Sequence, residues 1–151
     1  MEADPMMAEH PNATMLRAVY ADLSTIGRYL DDDVVLHAAE RSIAGMTATH
    51  HGRQAVLDKE LALIRATEGT LVMDVEQVCA NDHFGAVTGR LRAHRQGRRI
   101  AMPFCGLWRF RDGRILEHWE NAYDAAALGA FLSGDLDAAS PWLTADAQAG
   151  E

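Results

Sequence analysis

The hydrophobic pattern of this chain changes period at Thr70. Before that residue apolar side chains recur every three or four positions, and from Thr70 to Tyr123 they alternate. Alternation is the mark of strands with one buried face. Three short polar breaks divide the alternating stretch, Asn81-Asp82, Gln96-Gly97 and Asp112-Gly113, so strands are predicted over 70–80, 84–95, 98–111 and 114–123. Breaks this short join antiparallel neighbours, which makes the segment a four-strand meander.

Upstream, Leu16, Val19, Tyr20 and Leu23 follow Asn12 and Thr14, either of which can cap a helix ending near Leu23. Ser24 or Thr25 then caps a short helix through Ile26 and Leu30, which Asp31-Asp32-Asp33 ends, and Val34 to Ala38 reads as a strand. Gly45 to Gly52 reads as a loop. Over 53–67 the residues Val56, Leu57, Glu60, Leu61 and Ile64 are spaced so that the apolar ones form one helical face, stopped by Gly69. Asp124 caps a last helix over 125–132, ended by Ser133-Gly134. Helices first and a long antiparallel sheet second is an α+β arrangement in which the sheet curls over the helices and leaves one end open. The chain thus divides into a flexible N-terminus (1–11), one domain (12–133) and a C-terminal tail (134–151) in which Trp142 can cover a groove.

At 151 residues a domain buries roughly 70% of its unfolded surface, enough for a core and a pocket. The net charge of −8 opposes a nucleic-acid surface despite the arginines between Arg90 and Arg99. No stretch approaches the ~20 apolar residues of a membrane span, and residues 1–10 carry no secretory pattern, so a cytoplasmic protein is expected. Cys79 and Cys105 are expected as reduced core residues.

Ile100, Met102, Phe104, Trp108 and Phe110 share one face of the third meander strand, and Gly85, Val87, Gly89, Leu91 and Ala93 share one face of the second. These sets point inward. The last strand has two registers. With a three-residue turn at Arg111-Asp112-Gly113 the inward set is Leu116, His118, Glu120 and Ala122; with a two-residue turn at Asp112-Gly113 it is Ile115, Glu117, Trp119, Asn121 and Tyr123.

Several segments together resemble a known family: Leu30-Asp31-Asp32-Asp33-Val34-Val35-Leu36-His37, the Gly52-led helix, Ala80-Asn81-Asp82, Gln96-Gly97-Arg98, and the run from Trp108 to Glu120. In order and spacing they are similar to nuclear transport factor 2-like proteins, and within them to SnoaL-like polyketide cyclases and ketosteroid isomerases, over residues 13–132. The resemblance implies a cone-shaped curved sheet wrapped around the N-terminal helices. It favours the three-residue turn, because the family's acidic residue after the His-Trp pair then falls on Glu120, facing the cavity. SnoaL-like cyclases use an Asp there as acid/base, and limonene epoxide hydrolases place a carboxylate nearby. The Arg-x-Asp partner of those hydrolases falls near Arg90 and Arg92, without its acid. The isomerase base and proton-donating acid read Ala38 and Gly106 here, while its helix tyrosine matches Tyr20.

Four residues follow as catalytic candidates. A carboxyl in an apolar pocket, Glu120, rises in pKa toward neutrality and can both give and take a proton. His37 offers a second proton carrier, since imidazole titrates near working pH. His118, two residues before Glu120, points the same way along a strand and can form a charge-coupled pair with it. Tyr20 can donate to a developing oxyanion. Met102, Phe104, Trp108 and Leu91 are expected to bind substrate. Adjacent histidines such as His50-His51 point apart and have no Cys or carboxylate at ligand spacing, so no metal is expected. No phosphate-binding loop or covalent nucleophile motif is present. The expectation is a cofactor-free acid/base enzyme, a cyclase, isomerase, dehydratase or epoxide-opening enzyme, acting on a polyketide- or terpenoid-like molecule. The alternative is a non-catalytic binding or dimerisation module of the same fold. A homodimer is expected under either, to cover outer-face residues such as Leu107 and Val78.

Overall fold

Three of the meander's connections are tight turns, and two have the same chemistry. Gln96-Gly97 and Asp112-Gly113 both hold positive φ at their two central residues (47° and 78°; 52° and 75°). This is the type I′ hairpin turn, whose twist suits antiparallel strands and in which glycine carries no steric penalty. The computed structural model describes residues 8–135 and 137–145. The turns join β3 (Val72–Ala80), β4 (Phe84–Arg95), β5 (Arg98–Arg111) and β6 (Arg114–Ala122). At the third connection the Asn81 side chain accepts from the backbone N–H groups of His83 and Phe84.

Two further strands extend the sheet beyond the meander. β1 (Leu30–His37) pairs with β6 in parallel, and β2 (Thr49–His51) pairs with β1, giving the order β2-β1-β6-β5-β4-β3. The sheet is curved and does not close. The three aspartates expected to stop a helix lie inside β1, where Arg111 binds Asp31 and Asp33 at 2.7 and 2.8 Å. The stretch read as a loop up to Gly52 contains β2. The segment read as a tail also joins the sheet: Leu143–Ala145, β7, pairs with the near end of β5, Leu143 is buried, and Trp142 packs edge-on against Tyr123. Isolated short strands carry too weak a pattern to be read without their partners.

The helices fill the concave side. Helix α1 spans Pro11–Ala21 and is capped not by Asn12 or Thr14 but by His10, whose Nδ1 accepts from the Asn12 N–H at 3.0 Å. Pro11 sits where a missing N–H costs nothing, and Asn12 instead donates to the Asn81 carbonyl. A short 3-10 helix, Leu23–Arg28, is capped by Asp22. Helix α2 (Arg53–Ala66) and helix α3 (Ala125–Ser133, capped by Asp124 and ended by left-handed Gly134) complete the layer. Leu16, Val19, Ile26 and Val56 meet the inward residues Val87, Ile100, Met102, Trp108 and Phe110, all buried. Cys79 is exposed and Cys105 partly exposed, because both fall on outward positions of their strands. No described helix is long and apolar enough to cross a membrane.

Candidate functional site

The last hairpin combines features of both registers. Its turn has two residues, pairing Arg111 with Arg114 and Phe110 with Ile115, yet Arg109 pairs with Glu117. Leu116 is therefore an extra residue, a β-bulge that turns the strand over. Ile115 stays in the core at 0% exposure, and from His118 onward the even-numbered residues face inward: His118 opposite Trp108, Glu120 opposite Gly106, Ala122 opposite Phe104. The expected three-residue turn is thus corrected: Glu120 reaches the inner face through a bulge.

Glu120 lines a cavity of about 50 Å³ between the sheet, α1, α2 and α3. One water needs about 10–15 Å³ on this scale, so the cavity is a narrow slot with room for a few waters. Leu23, Leu63, Leu71, Leu91, Phe104 and Phe131 supply apolar wall. Opposite Glu120 stands Glu60 of α2, 2% exposed, and the two carboxyls are hydrogen-bonded to each other. Burial raises both pKa values, Glu120 to about 7 and Glu60 well above the ordinary carboxylate range. Two carboxyls in contact, one buried and the other partly buried, cannot both ionise readily, so they hold a proton between them. Glu120 also accepts from the Ala39 backbone N–H. Oε1 of Glu60 has no partner among the described residues. Two more charged groups complete this wall, Lys59 and Glu40.

A second polar group gathers over Gly106. A Cβ there would lie 2.1 Å from the Tyr20 hydroxyl, 2.9 Å from Nε1 of Trp108 and 3.3 Å from Cε1 of His118. Only glycine admits all three, and every one of these residues lines the cavity. Burial pushes the Tyr20 pKa strongly upward, so the phenol remains a donor. Nε1 of Trp108 lies beside that hydroxyl, in a geometry too poor for a well-formed bond.

The candidates separate accordingly. Glu120 and Tyr20 face the cavity, as do Phe104, Trp108 and Leu91. Met102, at 0% exposure, is packed in the core and does not line it. His118 does line it, but burial lowers its pKa to about 3, its Nδ1–H donates to the Leu107 carbonyl at 3.0 Å, and its ring stacks on Trp108. It is a neutral imidazole whose remaining nitrogen can only accept, so the expected charge-coupled pair with Glu120 does not form. His37 lies on the other face of the sheet, where Nε2 meets Glu117 at 2.6 Å and the ring stacks on Trp119. Sequence reasoning passed over Glu60, Lys59 and Glu40. For Glu60 a signal existed: it sits four residues after Val56 on the apolar face of α2.

The comparisons agree with the curved, open sheet. Residues 15–118 match the family described as SnoaL-like domain. The chain belongs to the SnoaL-like family. Its fold is that of the nuclear transport factor 2-like superfamily, shared with an NTF2-like protein of unknown function from Burkholderia pseudomallei (23% identity, 83% of this chain and 99% of that one, TM-score 0.65). Bal32a, from a soil-derived mobile gene cassette, is 25% identical over 81% of this SnoaL-like chain and 96% of its own, with a TM-score of 0.71. IdmH of Streptomyces antibioticus, assigned as a polyketide cyclase, is 21% identical over 82% and 99%, with a TM-score of 0.63. No curated protein matches the chain.

Proposed function

We propose that this SnoaL-like protein is a cofactor-independent acid/base enzyme that moves protons on a small, largely apolar organic molecule of polyketide or terpenoid type. The observation that carries the reading is the pair of buried Glu60 and partly buried Glu120 on the cavity wall. A carboxyl poised near pH 7 is matched to taking a proton from carbon and returning it. In such a step the Glu120 carboxylate removes an acidic C–H proton next to a carbonyl, and the substrate oxygen gains negative charge. The Tyr20 hydroxyl then donates to that oxygen, and the proton on Glu120 is returned to carbon. Isomerisation, cyclisation and dehydration share this step, and epoxide opening uses the same pair, with Glu60 protonating the departing ring oxygen while Glu120 takes a proton from the water that bonds to carbon.

Exchange of the α-protons of a small ketone such as acetophenone for deuterium, followed by NMR at neutral pH, tests it. The wild type is expected to accelerate exchange over buffer, and Glu120→Gln to lose about a hundredfold or more of that acceleration. Equal rates in variant and wild type would remove Glu120 from the mechanism. Ketone binding without any acceleration would favour the second reading, a non-catalytic binding module, which the narrowness of the cavity supports. A homodimer belongs to the proposal as well: Phe84 and Leu107, 58% and 43% exposed, stand on the outer sheet face. Leu107→Glu is expected to shift sedimentation toward the monomer.

A further inference from the structure

Beside the carboxyl pair lies an ion pair. Lys59, which precedes Glu60 on α2, places Nζ 3.0 Å from Oε2 of Glu40, with the two side chains 17% and 4% exposed. Both residues line the same cavity as Glu60 and Glu120. An ion pair taken out of water gives little net stability, because desolvation offsets the attraction. Its place in the cavity wall therefore invites a functional account.

We propose that Lys59 and Glu40 are positioning residues of the proton-transfer site: the ammonium, anchored by Glu40, holds a single negative charge on the Glu60–Glu120 pair and sets the pH at which the pair releases its shared proton. This rests on the proton-transfer reading above. The anchoring carries the argument. A lysine on a flexible stem can swing to solvent, whereas one bound at 3.0 Å to a nearly inaccessible carboxylate keeps its charge at one place in the wall. The field of Lys59 favours ionisation of both carboxyls, and that of Glu40 opposes it.

The other groups around the pair leave this role open. From α1, Tyr20 is held as a neutral phenol, and from β6, His118 is held as a neutral imidazole. On β2, burial lowers the pKa of His50, and the field of Lys59 lowers it further. Arg41 is engaged with the backbone carbonyls of Ala38 and Glu120 and the side chain of Asn121. Cys105 of β5 borders the cavity beside Gly106, with its side chain on the outward position of the strand. Lys59 and Glu40 are the opposed charges next to the pair.

Carboxyl titration by NMR of protein carrying 13C-labelled glutamate, with the pair assigned by its loss in Glu120→Gln, tests this without any substrate. Lys59→Met is expected to raise the midpoint by about one pH unit or more. Glu40→Gln removes an opposing charge but also frees the ammonium, so it is expected to lower the midpoint more in the Lys59→Met background than in the wild type, and Lys59→Arg to leave it within a few tenths. An unchanged or lowered midpoint in Lys59→Met would overturn the proposal. Equal shifts on Glu40→Gln in the two backgrounds would overturn the anchoring role. If Lys59→Met does not fold, Lys59→Gln takes its place with the same expected and overturning results. Catalysis plays no part in the readout, so its failure leaves the Glu120 assignment standing, and an inactive protein leaves this one standing.

Discussion

Glu117 and Glu120 stand three residues apart on one strand and live in opposite environments. Glu117 faces outward, where His37 meets it at 2.6 Å and Arg109 at 2.9 Å. Its pKa ends up lowered: burial pushes it upward, and the hydrogen bonds from His37 and Arg109 more than offset that. Glu120 faces the cavity, where its carboxyl partner is a second acid and burial dominates, so its pKa rises. One residue type is thus an ordinary surface ion on one side of the sheet and a proton carrier on the other. The difference is made by which side chains lie opposite, and the single extra residue Leu116 decides that.

Shifting the register beyond the bulge breaks the comparison most severely. Inserting one alanine between Glu117 and His118 is expected to turn Trp119 and Asn121 inward and expel His118 and Glu120, whereas deleting Leu116 only makes the ladder regular and keeps both inward. The insertion should lower stability by about 4 kcal/mol or more, read from the urea midpoint, because Trp119 then enters a packed core and Glu60 loses its partner. Activity gives the next largest contrast. Where Glu120→Gln costs about a hundredfold or more in proton exchange, Glu117→Gln is expected to change it less than about threefold, since that carboxyl never touches the cavity.

The pH dependence of stability should separate the two acids by sign. Glu120 has a folded pKa raised from 4.5 to about 7, so the folded state binds more protons than the unfolded one between those values. Its contribution is complete below about 4.5 and is lost as the pH rises through 7, on the order of 3 kcal/mol. Glu117, with its folded pKa lowered, contributes above the unfolded value and loses that contribution as the pH falls. Urea midpoints from pH 3 to 9 should show Glu120→Gln flattening the alkaline limb and Glu117→Gln flattening the acid one. The smallest effect belongs to the outer ion pair itself. A double-mutant cycle of His37→Ala and Glu117→Gln is expected to give a coupling below about 1 kcal/mol, as for partly exposed pairs generally.

Much of this fold was legible because it is written locally. The alternation on β4 and β5, the break at Gln96-Gly97 and the cap at Asp124 each need only neighbouring residues, whereas the length of the turn at Asp112-Gly113 was not legible. The cavity was legible in part for the same reason: Trp108, Phe104 and Leu91 sit on inward positions of regular strands. His37 lies outside the cavity because one residue's displacement along a strand, here from the family's base position at Ala38, is a change of side.

By itself, then, the sequence determined the four meander strands, where they turn and the inward faces of β4 and β5, since period-two alternation and turn chemistry act within a few residues. The tertiary structure alone decided the register of β6, because the bulge at Leu116 satisfies Phe110 and Arg109 of β5 on one side and the parallel pairing with β1 on the other. It also decided the chemistry. Glu60 from a helix, Glu120 from a strand, Lys59 and the loop residue Glu40 converge through space, and only the folded chain removes them from water far enough to change what their charges do.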